Sequence, residues 1–323
     1  MTTGSITTTI ATASLQHAGN LRCGIDWLAL FDARHHDPLV PRANAAQHMR
    51  RRVLREEKAV TRSMINYVAR GGARMRYFAN DSSRDTVVLD ARPMDIDDAV
   101  AGQAGLDREG FALVPHRSAV VDFADSAQVA DVHPQEIADL ITQITGADLV
   151  VVNGTGVRRF AERSAQSGAL DNSRPVRFAH VDVSDSTAAQ FSARSLPQGR
   201  PAPRRAAHYN VWRALSAAPQ DVPLALCDSR SVSPEDLLPA DAIFDRDGVE
   251  VWSFEGLVVA HSPAHRWYWF RDLGRDEVIV FKTHDSDPAR AHCVPHVAFD
   301  DPDCAADTPP RASIEMRAIA YWF

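Results

Sequence analysis

Lysine is nearly missing from this chain of 323 residues. Among 35 basic residues only Lys58 and Lys282 are lysines. Codon bias toward Arg and Ala accounts for that. With a net charge of −7 and a pI near 6.0, no basic excess remains to favour nucleic acid or an anionic membrane as main partner. Cysteine is scarce as well. Cys23, Cys227, Cys293 and Cys304 form no Cys-x-x-Cys pair, which argues against a disulfide framework and for free thiols in a reducing cytoplasm. No stretch approaches the roughly 20 apolar residues of a membrane span. The start, "MTTGSITTTIATASLQ", has neither the basic opening nor the apolar run of a secretory leader. The expectation is a cytoplasmic protein.

Hydrophobic residues make up 45% and charged residues 24%, ordinary for a globular protein. The Ser/Thr-rich beginning reads as disordered. From Arg42 to Gly71-Gly72, Met49, Val53, Val60, Met64 and Val68 recur at helical intervals, so residues 1–62 read as an extension, partly disordered and then helical. A second helix is expected from Pro134 to Thr145, with Ile137, Leu140, Ile141 and Ile144 on one side and Gly146 as its stop. "ADLVVVNGTGVRRF" then reads as a buried strand entering a glycine turn. Gly154 and Gly156 hint at a dinucleotide loop, but Arg159 stands where its third glycine belongs and no βα series follows, so a nucleotide-dependent reductase is disfavoured.

Beyond residue 175 come eight short runs rich in Val, Ile and aromatics: "VRFAHVDV", "AAHYNVWRAL", "PLALCD", "VEVWSFEGLVVAH", "HRWYWF", "DEVIVFKTH", "VPHVAF" and "ASIEMRAIAYW". Pro, Gly, Asp and Ser clusters separate them. This pattern predicts a mainly β core of α+β class, a jelly roll or double-stranded β-helix, over residues 63–323.

His180 and Asp182 are two apart, so on a strand both side chains leave by one face. An inward polar pair is costly unless it coordinates something. Two histidines and one carboxylate on one face of a metal leave open positions, the arrangement of non-haem Fe(II) oxygenases. The third ligand must come from another strand. His296 in "VPHVAF" and His284 in "FKTHDS" are the candidates, with His292 weaker. In the last strand Arg311, Ser313, Glu315 and Arg317 alternate with apolar residues and share a face. A guanidinium and a nearby hydroxyl suit a carboxylate such as that of 2-oxoglutarate. Arg317, further along that face, rivals Arg311. Asn210, Trp212 and Arg213 could line the cavity, Lys282 could reach a carboxylate, and "HRWYWF" could form an apolar wall.

The ordered series "FAHVDVS", "YNVWRAL", "VPLALCDSRSV", "HRWYWF", "DEVIVFK", "VPHVAFDDP" and "PPRASIEMRAIAY" resembles the family of the cephem 7α-methoxylase hydroxylase component, gibberellin desaturase and asaB-type hydroxylase/desaturases. The likeness runs from about Ser63 to the C-terminus. It implies an oxygenase that uses Fe(II), 2-oxoglutarate and O2 to hydroxylate or desaturate a small molecule, as a monomer or homodimer. Carried over, His180, Asp182 and His296 fall on the iron-ligand pattern, and Arg311 and Ser313 on the Arg-x-Ser pattern for 2-oxoglutarate. The competing reading is a non-catalytic, cupin-like binding protein.

Overall fold

The computed structural model describes residues 60–100 and 102–323. In chain order its strands begin with β1 (Val60–Val68), β2 (Met75–Phe78), β3 (Leu89–Asp98), β4 (Phe111–Pro115) and β5 (Leu149–Phe160). They continue with β6 (His180–Val181), β7 (Arg205–Ala214), β8 (Leu224–Cys227), β9 (Leu237–Arg246) and β10 (Val249–Val259). The series closes with β11 (Trp267–Trp269), β12 (Glu277–Asp285), β13 (His296–Ala298) and β14 (Ala312–Trp322). Two helices interrupt them, α1 (Ser126–Thr145) and α2 (Asp185–Ser195).

The strands form two sheets. One has nine strands in the order β1-β3-β11-β8-β13-β6-β10-β9-β2, the other five in the order β4-β12-β7-β14-β5. This is the expected jelly-roll architecture. Trp212, Phe281, Ile279, Leu224 and Leu226 bring the two sheets into one buried cluster. Helix α1 covers the other side of the small sheet, with Ile137, Leu140 and Ile141 packed on Tyr209, Val211, Val280 and Met316. Among the described residues, no helix is long and apolar enough to cross a membrane.

Three expectations need correction. The helix read through Val60, Met64 and Val68 is strand β1, and the Met49 and Val53 part lies outside the described residues. A spacing of four falls on one face of a strand as well as of a helix, so the pattern was degenerate. The buried set in β1 is Thr61, Ile65, Tyr67 and Val68, whereas Val60 and Met64 are exposed. Helix α1 begins at Ser126, two turns before Pro134, because Asp125 caps it by accepting from the amides of Ala127 and Gln128. Pro134 lies inside, while Gly146 ends the helix at φ 65° as expected. The strand–turn reading of residues 147–160 is also replaced. β5 runs straight through both glycines as the edge partner of β14, and Gly154 and Gly156 take φ of 76° and 93° within it. No dinucleotide loop exists there.

All eight runs beyond residue 175 contain strands. β9 was not anticipated, since Pro239, Asp241 and Asp245 mask its alternation. Pro239 pairs with Leu257 of β10 just before β2 joins the other edge at Ala240, so its missing N–H interrupts no ladder with β2.

Candidate active site

β6 and β13 are neighbours in the nine-stranded sheet, and their single register pair is His180 opposite His296. Side chains alternate across a strand. Ala179 and Val297 therefore go to the far-face cluster with Trp267 and Trp269, and the two imidazoles turn toward the small sheet. Their ring centroids lie 4.2 Å apart. Asp182 follows directly after β6. Its Oδ1 stands 3.5 Å from His180 Nε2 and 3.5 Å from His296 Nε2. All three side chains are at least nearly buried. Gly256 on the adjoining β10 makes room for this turn, because a Cβ there would sit 2.7 Å from the Tyr77 hydroxyl and 3.0 Å from the Asp182 carbonyl.

The hydrogen bonds around the triad fix its tautomers. His180 Nδ1 donates to the Phe178 carbonyl at 3.0 Å, and His296 Nδ1 to that of Val294 at 3.1 Å. With the Nδ1 positions carrying the protons, both Nε2 lone pairs point at a carboxylate oxygen, which is repulsive until a metal ion lies between them. Asp182 Oδ2 is tied off separately, accepting from Asn210 Nδ2 at 2.9 Å and facing Arg317 Nη2 at 3.2 Å. Burial opposes the charge on Asp182, but the Arg317 guanidinium beside it holds its carboxyl well below the usual carboxylate range. Burial and then the neighbouring His296 push the His180 pKa down, which keeps its ring neutral and able to ligate. Ligand atoms about 2.0–2.2 Å from one ion lie roughly 3–4 Å from each other, and these separations fit.

An inner cavity adjoins the triad, lined by His180, Asp182, His296, Trp212, Arg159 and Arg311. Arg311 is 1% exposed, yet its Nε and Nη2 have no hydrogen-bond partner, and neither has the buried hydroxyl of Ser313. Burial, reinforced by the charge of Arg159, pushes the Arg311 pKa down to about 10. Three orphaned donors beside a second guanidinium are costly without an anion to accept from them. The residues fit a carboxylate-bearing co-substrate next to a metal. Arg317 also has an unpartnered Nε, but its Nη2 is spent on Glu315 at 3.1 Å as well as on Asp182.

A larger pocket of about 620 Å³ also borders the triad, at His180 and Asp182. Tyr77, Phe178, Ile243, Phe254, Asn172 and Arg317 are among its walls. Most of these were missed from sequence, because β2, β9 and the loop before β6 carry no signal relating them to His180. The other sequence candidates lie elsewhere. His284, at the end of β12, stands beside Asp185 and His292 and outside the triad. Asn210 and Trp212 reach the site, but Arg213 turns away to the carbonyls of His116 and Arg275. Lys282 is fully buried and pairs with Asp285 and Asp107. The rings of Trp267 and Trp269 belong to the far-face core, so "HRWYWF" supplies no wall to the site.

A family model described as an oxidoreductase/YMDC permease-like domain matches residues 65–321. The hydroxylase/desaturase efuI of Hormonema carpetanum is 30% identical over 284 residues, 80% of this chain and 90% of its own. The hydroxylase/desaturase CTB9 of Cercospora beticola is 31% identical over 235 residues, 67% and 72% of the two chains. Among solved structures, the iron and alpha-ketoglutarate-dependent endoperoxidase NvfI has the same fold, with a TM-score of 0.71 at 24% identity over 82% of this chain and 98% of that one. The alpha-ketoglutarate-dependent dioxygenase phiK of a fungal species is 29% identical over 245 residues, 72% of this chain and 85% of its own. The two hydroxylase/desaturases match along most of both chains, and this chain belongs to their family, that of the Fe(II)- and 2-oxoglutarate-dependent oxygenases.

Proposed function

We propose that His180, Asp182 and His296 hold the iron, that Arg311 and Ser313 bind the distal carboxylate of 2-oxoglutarate, and that a small natural-product molecule is oxidised in the larger pocket. The observation that carries this reading is the pair of Nε2 lone pairs aimed at Asp182 beside three unpartnered donors. Iron with 2-oxoglutarate and O2 supplies the oxidising power, with succinate and CO2 as by-products. The chain's own residues do the rest. The Nδ1 bonds lock both imidazole tautomers, and Asn210 with Arg317 fixes which oxygen of Asp182 faces the histidines. Trp212 and Leu224 keep the inner cavity dry, which strengthens the pull of Arg311 on an anion. Tyr77, Phe178 and Phe254 give the substrate apolar walls, and Arg317 offers it one charged group.

The reading extends to residues 1–62 as an extension of the 63–323 oxygenase domain, and to a cytoplasmic monomer or homodimer. The free, buried thiols of Cys227 and Cys293 support a reducing compartment, and sedimentation of the full chain tests the oligomeric state.

The test is turnover of 2-oxoglutarate to succinate with Fe(II) and ascorbate. His296→Ala abolishes it, and His284→Ala retains it; the reverse pattern would reassign the triad. Arg311→Lys keeps the charge but loses the fork. It raises the KM for 2-oxoglutarate about 10–100-fold, the worth of one or two charge-assisted hydrogen bonds. An unchanged KM would move the anchor to Arg317.

A further inference from the structure

A second cluster of ligating side chains stands outside the triad, made by Asp185, His284 and His292. Asp185 opens α2, His284 ends β12, and His292 lies in the loop before β13. Asp185 Oδ1 is 2.8 Å from His292 Nε2 and 3.7 Å from His284 Nε2. The two imidazole centroids are 5.0 Å apart. Ligands about 2.0–2.2 Å from one ion span roughly 3–4 Å between themselves, so one divalent ion can touch all three.

The hydrogen bonding repeats the logic of the triad. His292 Nδ1 donates to the Asp285 carbonyl at 3.1 Å, which leaves the Nε2 lone pair against a carboxylate oxygen. Either a second proton or a cation must resolve that contact. His284 is 9% exposed, its Nδ1 has no partner, and its Nε2 faces Asp185 beyond hydrogen-bonding distance. A proton on His292 would settle that contact alone, whereas an ion would also take up the Nε2 lone pair of His284. Asp185 is exposed, so an ion can enter from solvent without passing the inner cavity.

We propose that Asp185, His284 and His292 form a second binding site for an imidazole-preferring divalent ion of the Zn(II) class, with water completing the shell. The site is a clip. Asp185 is three residues beyond Asp182, and His292 four residues before His296. An ion here ties together the two segments that carry the triad, which β6 and β13 already hold side by side in the sheet.

Metal titration of the chelator-stripped full chain with Zn(II) and Co(II) tests this, read by bound metal per chain and by the melting temperature. Wild type takes two equivalents. His292→Ala and Asp185→Asn, both at exposed positions, each take one. Asp182→Ala also takes one, and its melting temperature still rises with Zn(II). That rise disappears in Asp182→Ala/His292→Ala, which takes none. One equivalent in wild type, lost with Asp182→Ala and kept with His292→Ala, overturns the second site and leaves the triad intact. Two equivalents that survive both His292→Ala and Asp185→Asn also overturn it, since the second ion then sits elsewhere on the chain.

Discussion

At the scale of single residues, the orientation of Asp182 depends on side chains outside the triad. Asn210 is 1% exposed and spends its amide on Asp182 Oδ2. Asn210→Ala therefore frees the carboxylate to rotate. It weakens Fe(II) binding about 10–100-fold, the usual cost of losing such an orienting bond, and the titration of apo-protein with Fe(II) measures it. Unaltered affinity would mean that Arg317 alone fixes Asp182. The sequence paired His180 with Asp182 by a spacing of two on an expected strand, but β6 ends at Val181, so Asp182 reaches the histidines from the bend that follows. The choice of His296 over His284 rested on a resemblance. The physical reason emerges only in the sheet, where His296 pairs across from His180 while His284 lies on the other sheet, opposite His208.

At the scale of elements, β5 and β14 carry the Arg311 side of the site. Their ladder shifts register between Glu315 and Arg317, opposite the segment with the two left-handed glycines. A Cβ on Gly156 would lie 2.6 Å from Met316 Sδ and 3.0 Å from Ile314 Cδ1, at a φ of 93° that L side chains avoid. Gly156→Ala destabilises the fold by about 1–3 kcal/mol, read as a lower urea midpoint with an unchanged m-value. An unaltered midpoint would show that β5 can slide at this edge. The glycines were visible in the sequence, but as a turn. Local pattern cannot separate a turn from a strand that bends in place, because that depends on whether a partner strand continues beside it.

Across the whole molecule, the sandwich buries histidines in a neutral state. Burial, with His284 as a like-charged neighbour, pushes the His208 pKa from 6.5 to about 3. His133 and His265 are lowered in the same way, burial first. Below the unfolded value near 6.5, the unfolded chain takes up protons that the native chain refuses, so native stability falls with pH. It is fully present above that value and is lost progressively as pH drops toward the folded value. The slope is about 1.4 kcal/mol per pH unit for each such group once the unfolded form is protonated. Urea unfolding at pH 7.5 and pH 5.0 should show the loss, and His208→Gln should make it smaller. Equal loss in that variant would assign the pH dependence to other groups.

Sequence by itself determined the mainly β class and the eight strands beyond residue 175. Both follow from period-two alternation, which acts between near neighbours. Tertiary structure alone brought His296 rather than His284 beside His180, left Arg311 with more unpartnered donors than Arg317, and put an aspartate and a second imidazole beside His284. Those are encounters between segments about a hundred residues apart, set by strand order and register, and no local periodicity encodes either.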